Sequence, residues 1–555
     1  MTDVHIRMPS GETRDFPYGT PVSALVRELA EAQTRGEEII AALIDNELVS
    51  LSYKLKFNAA FKPVRVDSPI GMSTYKRSLC FLLTIAAREI FPERTLVIGH
   101  SFGDGYYYSF TGPEQINDED IRLLDARIRD IVSRNLPIER STISYTEARQ
   151  YFETHGQTAT AQLLDFRNEN KTAVTRCGEF MDLAHFPLVP FTGVLNNFQL
   201  HRYGTGFVLR FPATRSQECF APFQGSPALY SIYQEYKNWG KILNVASVGQ
   251  LNRISAGKNI KDFIYVAEAL HNKKITRIAD SIYERGKDIR IILIAGPSSS
   301  GKTTFTKKLA IDLTVHGYIP VTLAMDDYFL PREQTPRGED GNYDFEAITA
   351  LDVELLNKHL LALFAAEEIE LPSFDFKSGK RKTHSASSLR LPKNGILLME
   401  GIHGLNDKLT PLVPAASKFR IYVSALTQLN LDEHNRVSTT VNRLIRRIVR
   451  DHQFRGHPAH TTLAMWPSVR QGEDKNIFPF QDSADACFNS ALDYELGVLK
   501  PLAEPILRTI KPGQESYHEA LRLLSFLEFF NPIPVKYVPP ASILREFVGD
   551  SSFKY

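Results

Sequence analysis

Cysteine is scarce in this 555-residue chain, which contains four, and no two of them form a CxxC pair. Cys80, Cys177, Cys219 and Cys487 are widely scattered, which is typical of a reducing compartment and not of a disulfide framework. The chain also lacks an uninterrupted apolar run of about 18 residues, so we expect no membrane span. Its first residues are polar and charged where a signal peptide needs an apolar core, so we expect a cytoplasmic protein.

An excess of charge of either sign is also missing. Lys and Arg number 65 and Asp and Glu 64, which gives a formal net charge of +1. This balance argues against a large surface for nucleic acid or anionic membrane, although a local basic patch stays open. Internal repeats and low-complexity tracts are absent from the sequence as well. What remains is an ordinary globular composition over a length that suggests several domains.

Hydrophobic patterns divide the chain into four regions. Residues 1–62 read as a small β-rich module with one helix, and residues 63–210 mix helices with aromatic strands. Residues 211–287 have mostly helical spacing and are predicted to be a helical connector. Residues 288–555 alternate apolar strands with helices, which predicts a doubly wound parallel sheet. The predicted fold class is therefore an α/β multidomain protein with its parallel-sheet domain last.

A phosphate-binding motif lies at the start of the fourth region. The residues from Gly296 to Thr303 read GPSSSGKT, after the apolar run Ile291–Ala295 and before a helical pattern. Glycines let the backbone N–H groups at a helix N-terminus approach phosphate closely. Lys302 would reach the β- and γ-phosphates of ATP, and the Thr303 hydroxyl would bind Mg²⁺. The alternative is a turn rich in Gly and Ser that binds nothing.

Carboxylates close the next two apolar strands. Asp326 and Asp327 follow one strand, and Glu400 follows the other. The carboxyl ends of parallel strands line the ligand crevice of such a sheet. An acid there can take a proton from a substrate hydroxyl or hold a metal ion. Each acid could instead cap the helix that follows it.

An arginine-rich segment comes next along the chain. Arg443, Arg447 and Arg450 fall near one face of a predicted helix, and Arg455 follows. Arginines that close over phosphates supply charge in the transition state and exclude water. A basic helix for RNA and a solvated helix face are the alternatives.

Six motifs in order resemble the uridine kinase and phosphoribulokinase branch of P-loop kinases, over roughly residues 288 to 500. They are GPSSSGKT, MDDYF, NYDFEAI, PSFDFKSGKR, MEGIHGL and RLIRRIVRD. The resemblance implies transfer of the γ-phosphate of ATP to a hydroxyl of a small molecule, in the first place the 5′-hydroxyl of a nucleoside. Two alternatives stay open: a sugar phosphate or pantothenate-like acid as the acceptor, and an RNA-associated regulatory protein that binds ATP.

The same resemblance implies catalytic and metal-binding roles by motif. Asp326 corresponds to the base that accepts the hydroxyl proton, and Lys302 and Arg447 complete the implied catalytic set. Thr303 and Glu400 are implied to hold Mg²⁺. The residues implied to bind ATP are Gly296, Ser298, Ser299, Ser300, Gly301, Lys302, Thr303, Thr304, Arg450 and Arg455.

The acceptor side is implied in the same way. Asp344 resembles the carboxylate that grips sugar hydroxyls, Phe374 and Phe376 lie where aromatic residues frame the base, and Arg447 reaches the substrate. Three positions in this region depart from the uridine and cytidine pattern, namely Gly379, His457 and Met465. The hydrogen-bonding partners that the family has there are lost, which should change which acceptor the protein takes.

The N-terminal half carries two further resemblances. Residues 1–60 look like a TGS domain, through GETRDFPYGTPVSALV and ALIDNELVSLSYKL. Residues from about 70 to 210 look like the second additional, editing domain of threonyl-tRNA synthetases, through GHSFGDGYYYSF and LPIERSTISYTEARQYF. The TGS-like region leaves contact with nucleic acid open, and a homo-oligomer stays open too.

The ligands of the editing chemistry are mostly replaced. Arg77 and Phe81 stand at the positions of a helical HxxxH pair, and Cys177 is followed by Met181 where a His is expected. A metal or hydrolytic centre needs those ligands. We therefore expect no editing activity and an accessory role in regulation, dimerisation or binding.

Overall fold

The structure is a computed structural model that describes residues 3–30, 38–112, 115–214, 219–286, 288–337, 341, 343–344, 346–375, 380–381 and 388–554. Phe376 and Gly379, both singled out in the sequence, lie outside these ranges. Within the described ranges, no helix is long and apolar enough to cross a membrane.

The N-terminal module is a mixed five-stranded sheet with one helix. Its elements are β1 (Asp3–Arg7), β2 (Thr13–Pro17), α1 (Val22–Ala30), β3 (Ile39–Ile44), β4 (Glu47–Val49) and β5 (Ala59–Arg65). The strands lie in the order β2-β1-β5-β3-β4, and β1 runs parallel to β5. β1 alternates exposed and buried residues, so one face of this sheet packs on the buried side of α1. The TGS assignment stays a prediction.

The second region combines antiparallel sheets with helices. Its elements are α2 (Pro69–Ile90), β6 (Leu96–Phe102), β7 (Gly105–Phe110), α3 (Asp118–Ser133), β8 (Glu139–Ser144), α4 (Tyr145–Thr154), α5 (Thr158–Leu164), β9 (Lys171–Cys177), β10 (Phe180–Leu183), β11 (Gln199–Tyr203) and β12 (Gly206–Arg210). One sheet has the order β10-β9-β8 and the other β11-β12-β7-β6.

Helix α2 begins earlier than the sequence pattern predicts. Helical spacing over residues 77–91 predicts a helix that starts at Arg77, but the helix starts at Pro69. The Ser68 hydroxyl accepts a hydrogen bond from the Gly71 N–H at 3.1 Å, and proline suits the first turn, where its missing N–H costs nothing. A cap and a proline at the N-terminus therefore outweigh the weak periodicity of the first two turns.

Three helices connect this region to the parallel sheet: α6 (Pro227–Leu243), α7 (Val248–Ala256) and α8 (Ile260–Glu284). Helical spacing is clear in the sequence over residues 260–270 and 275–283, and one continuous helix, α8, contains both stretches. No proline or glycine interrupts residues 260–284, so the helix has no reason to stop. The domain boundaries themselves stay predictions.

The fourth region contains the parallel sheet. Its elements are β13 (Ile291–Ala295), α9 (Lys302–Val315), β14 (Ile319–Ala324), α10 (Val353–Phe364), β15 (Glu368–Glu370), β16 (Phe374–Asp375), β17 (Lys380–Arg381), β18 (Ser388–Arg390), β19 (Gly395–Glu400), β20 (Lys418–Ser424), α11 (Thr439–Arg455), α12 (Ala459–Asn476), β21 (Ala486–Asn489), α13 (Glu495–Leu507), α14 (Tyr517–Leu527) and α15 (Arg545–Val548).

The large sheet of this region has the order β14-β19-β13-β20-β21, and every pair in it is parallel. All residues of β13 are buried, because this central strand is covered on both faces. The predicted α/β class with a C-terminal parallel sheet is confirmed. Parallel strands end on the same side, so the loops after β13, β14 and β19 converge at one edge.

Candidate active site

The loop between β13 and α9 forms the centre of the candidate site. A Cβ on Gly296 would lie 1.9 Å from the carbonyl oxygen of Val423. Gly301 has a φ of 82°, and a Cβ there would lie 2.5 Å from Cγ2 of Ile543. Only glycine fits these two positions, the first for space and the second for backbone conformation as well. The loop therefore presents the first N–H groups of α9 at close range, as an anion site requires.

Lys302 lies folded over this loop. Its Nζ donates to the carbonyl oxygen of Gly296 at 2.8 Å and to that of Pro297 at 3.3 Å. Burial lowers the pKa of Lys302, and the charge of Glu400 acts in the opposite direction. The structure thus holds the ammonium group inside the concave side of the loop, where phosphate oxygens would be its natural partners.

Strand register brings the two predicted acids to the same place. Glu400 pairs with Ile294 of β13 on one side and with Ala324 of β14 on the other. Asp326 lies just past the end of β14, and Gly296 just past the end of β13. Both carboxylates therefore lie at the edge of the sheet where the phosphate loop begins.

Burial shifts the titration of both acids. It raises the pKa of Asp326, and the Lys302 charge is the main opposing influence. Burial also raises the pKa of Glu400, opposed by Lys302 and by a hydrogen bond from the Thr303 hydroxyl. A buried aspartate with a raised pKa is a stronger base than an exposed one, which suits the proton-accepting role predicted for Asp326.

The residues predicted to hold Mg²⁺ fit that ion. Glu400 Oε2 is buried and has no hydrogen-bond partner among the described residues. The neighbouring Thr303 hydroxyl supplies a second oxygen. No group of three or more His, Cys, Asp or Glu residues in the described parts could form a complete metal site. An oxygen set with one carboxylate is what Mg²⁺ uses when substrate phosphates and water complete its coordination.

Three of the predicted arginines converge on one buried acid. Asp451 is fully buried, and its carboxylate lies 3.2 Å from Arg447, 2.8 Å from Arg450 and 3.6 Å from Arg455. Arg447 Nη1 also donates to Ser298 Oγ at 2.7 Å. Arg447 is thereby placed on the phosphate loop itself. Asp451 was not predicted as a site residue, although it closes the motif RLIRRIVRD at helical spacing from Arg447.

Arg443 was predicted to lie on the arginine face with Arg447 and Arg450, but it is buried in an ion pair of its own, and so is Arg446, which that prediction did not include. Arg443 forms a buried ion pair with Glu473, with Nη1–Oε1 at 2.5 Å and Nη2–Oε2 at 2.8 Å. Arg446 forms another with Glu495, with Nε–Oε2 at 2.7 Å. Glu473 also accepts from the backbone N–H of Ser298 at 2.9 Å. These ion pairs support the phosphate loop. No local pattern in the sequence predicts this role for either glutamate.

Two of the predicted acceptor residues, Asp344 and Phe374, can be described by their own contacts. Asp344 Oδ1 accepts from the Glu346 N–H at 3.1 Å, and its Oδ2 lies 3.8 Å from Lys475 Nζ. Phe374 is buried and packs on Phe329, with ring centroids 5.7 Å apart. Asp344 is thus next to a cation, and Phe374 belongs to a buried aromatic pair.

Two of the three positions that depart from the uridine and cytidine pattern lie within the described residues. The backbone N–H of His457 donates to the Asp451 carbonyl at 3.1 Å, and its buried Nδ1 has no hydrogen-bond partner in the described chain. Met465 is partly buried within α12. Gly379, like Phe376, lies outside the described residues.

A comparison with protein-family models identifies this part of the chain. Residues 291–496 match the model described as the Phosphoribulokinase / Uridine kinase family. That range contains the phosphate loop, both strand-end acids and the arginine helix. The C-terminal part of the chain therefore carries a domain of this family.

The N-terminal region is similar to another group of proteins. It is 31% identical over 198 residues to the threonine–tRNA ligase of Carboxydothermus hydrogenoformans, a match that covers 36% of this chain and 31% of that protein. Threonine–tRNA ligase 2 of Bacillus subtilis is 26% identical over 200 residues, which is 36% of this chain and 31% of the ligase. The matched part spans about a third of the length of these curated relatives.

Solved structures with detectable likeness include two kinases. One is titled a possible uridine kinase from Bacillus stearothermophilus, with a TM-score of 0.27, 19% identity and coverage of 39% of this chain and 98% of that one. The other is D-glycerate 3-kinase from Cryptococcus neoformans, with a TM-score of 0.21, 14% identity and coverage of 46% and 87%. Likeness at this level bears on neither substrate nor activity.

The residues in place of the editing ligands pack as a core. The Arg77 guanidinium lies over the Phe186 ring at 5.0 Å, and Phe81 packs on Phe180 with ring centroids 5.3 Å apart. Burial raises the pKa of the Cys177 thiol to about 11. Burial thus disfavours the thiolate form that a metal ligand or a nucleophile requires.

A loop of the kinase-like domain covers the neighbouring surface. Asp182, next to Met181, lies 3.3 Å from His434 Nδ1, and Glu433 Oε1 accepts from the Ala159 N–H at 2.7 Å. These contacts bury charged groups between the two regions. The N-terminal region is therefore joined to the parallel-sheet domain by specific polar contacts.

Proposed function

We propose that this protein is an ATP-dependent phosphotransferase that moves the γ-phosphate of ATP to a hydroxyl of a small molecule. The observation that carries the proposal is the convergence of Lys302, Asp326 and Glu400 at the phosphate loop. A cation for phosphate, a buried base and an acid next to a threonine hydroxyl are the parts that phosphoryl transfer needs.

On the donor side, the loop and the arginine helix hold the triphosphate. Backbone N–H groups of the loop and Lys302 bind phosphate oxygens, and Arg447 adds positive charge where it develops in the transition state. Thr303 and Glu400 would hold Mg²⁺, which when bound neutralises charge on the β- and γ-phosphates. Arg450 and Arg455 lie near Arg447 around Asp451, so they can follow the phosphates as the site closes.

On the acceptor side, Asp326 acts as the base. The acceptor oxygen attacks the γ-phosphorus, the bond from that phosphorus to the β–γ bridging oxygen breaks, and ADP leaves with that oxygen. The hydroxyl proton goes to the Asp326 carboxylate, whose raised pKa favours accepting it. Asp344 orients the acceptor through its hydroxyls, and Phe374 packs against its flat part.

The finer proposal is that the acceptor is the 5′-hydroxyl of a nucleoside. A panel of nucleosides, each incubated with the full chain, ATP and Mg²⁺, tests it by following ADP production. We expect turnover with at least one nucleoside and a product that carries one added phosphate. No ADP above the background without acceptor, for any nucleoside, would rule this acceptor class out.

A second acceptor class is favoured by one observation. Lys475 lies 3.8 Å from Asp344 and is largely exposed, so its ammonium group is accessible to an anionic acceptor such as a sugar phosphate or a pantothenate-like acid. In the same panel, turnover with such acids and none with nucleosides would select this class. Lys475→Ala should then raise the KM for the acceptor and leave the KM for ATP unchanged.

A further inference from the structure

The C-terminal segment of the chain lies on the phosphate loop. Glu546, in α15, accepts two hydrogen bonds from Thr304 through Oε2, one from the backbone N–H at 3.0 Å and one from Oγ1 at 2.8 Å. Thr304 belongs to the first turn of α9. Its N–H lies in the first turn of the helix, where a P-loop offers backbone N–H groups to phosphate.

Several other contacts hold the segment 541–548 in this position. Ile543 is buried and lies against Gly301, the second glycine of the loop. Lys308 Nζ of α9 donates to the Ala541 carbonyl oxygen at 3.1 Å. The Arg446 guanidinium lies 4.9 Å from the centre of the Phe547 ring. The packing of this segment therefore fixes the position of Glu546 at the loop.

A carboxylate at this position resembles a phosphate in charge and in hydrogen bonding. It accepts from the N–H that a nucleotide phosphate would use, and its negative charge lies near Lys302. A phosphate and the Glu546 carboxylate cannot occupy the same N–H together, because two anions at that distance repel each other.

We propose that residues 541–548 are an internal competitor of the nucleotide, and that Glu546 must leave Thr304 before ATP fills the phosphate loop. The inference rests on the proposed nucleotide site and adds to it a control of ATP binding from within the chain. Only molecules in which the segment has left the loop can then bind ATP. The apparent ATP affinity is the intrinsic affinity multiplied by the fraction of such molecules.

Calorimetric measurement of ATP binding by the full chain tests this. Glu546→Gln and Glu546→Ala both remove the charge, and Asp550→Asn removes a charge from an exposed side chain in the same stretch. We expect both Glu546 variants to bind ATP roughly tenfold more tightly than the wild type, the effect of losing a charged hydrogen bond that competes with the ligand. The Asp550 variant should match the wild type.

A second readout follows the segment directly. Hydrogen exchange of residues 541–548 should accelerate when ATP is added to the wild type, because the nucleotide displaces them. Unchanged or weaker ATP binding in both Glu546 variants, or unchanged exchange on saturation with ATP, would overturn the inference and leave the nucleotide site intact. If neither the wild type nor any variant binds ATP, the proposed function itself fails, and this inference with it.

Discussion

Arg443 and Glu473 form a buried, bidentate ion pair. The same glutamate accepts a hydrogen bond from the backbone N–H of Ser298 in the phosphate loop. Helices α11 and α12 are thereby tied to the loop through one carboxylate. The arginine helix is a support of the loop as well as a source of charge for phosphates.

Removal of this support should destabilise the fold. Glu473→Ala leaves the Arg443 guanidinium buried without its partner, so we expect the free energy of unfolding to fall by about 3 to 5 kcal/mol. Chemical denaturation measures this change. The neighbouring Asp474→Ala, at an exposed ion pair, should cost about 1 kcal/mol or less. Equal losses in the two variants would show that the buried pair has no special role.

Lys302→Ala should remove most of the activity. Its ammonium group lies over the loop, and loss of a preorganised charge at developing negative charge typically costs about 100-fold or more in kcat/KM. ADP production with the acceptor found in the panel measures the loss. Lys393→Ala, an exposed lysine in the turn before β19, is the matched control and should leave kcat/KM unchanged. Similar rates in both variants would contradict the donor-side assignment.

The shape of the Arg447 guanidinium should matter as well as its charge. Arg447 contacts Ser298 Oγ and Asp451 together, and a lysine cannot make both contacts. We expect kcat to fall by about 100-fold in Arg447→Ala and by about tenfold in Arg447→Lys. Steady-state kinetics at saturating ATP separates the two. A kcat at the wild-type level in the alanine variant would exclude Arg447 from the transition state.

The pH dependence of activity should report Asp326. The base must be deprotonated, so kcat/KM should rise with pH through the pKa of Asp326, and burial places that pKa above the ordinary aspartate range. A pH profile of kcat/KM with the best acceptor measures it. An acidic limb at the ordinary aspartate pKa would show that the group is not buried in the working enzyme.

The raised pKa of Asp326 also carries a prediction for stability. A carboxyl whose pKa is raised on folding contributes stability below the ordinary aspartate pKa, and this contribution is lost as pH rises through the raised value. Asp326→Asn should therefore melt at a higher temperature than the wild type at neutral pH, and the difference should vanish in acid. Melting curves over that pH range check this, and a lower melting temperature at neutral pH would contradict it.

Local signals in the sequence predicted the strands around the phosphate loop well. The strand before the phosphate loop, the loop itself and the acids at the strand ends are short-range patterns, and β13 and Glu400 lie where those patterns placed them. The start of α2 was missed because its signal, Ser68 followed by proline, is a cap and not a periodicity.

Long-range partners could not be predicted from one sequence. Glu473 and Glu546 are separated from the loop by many residues, and each is an ordinary acid within its own helix. Their positions depend on how α12 and α15 pack on α11 and α9, which tertiary burial decides. For the same reason, the sequence could not show that Arg443 and Arg446 pair with buried glutamates while Arg447, Arg450 and Arg455 gather around Asp451.

We propose Asp326 as the base in the transfer of phosphate from ATP. The most direct measurement compares the wild type with Asp326→Asn for ATP affinity and for transfer of the γ-phosphate to the acceptor. We predict that ATP affinity stays within about threefold, since Asp326 accepts from the acceptor hydroxyl, while transfer falls by about 100-fold or more. Transfer at the wild-type rate in the asparagine variant would contradict the claim.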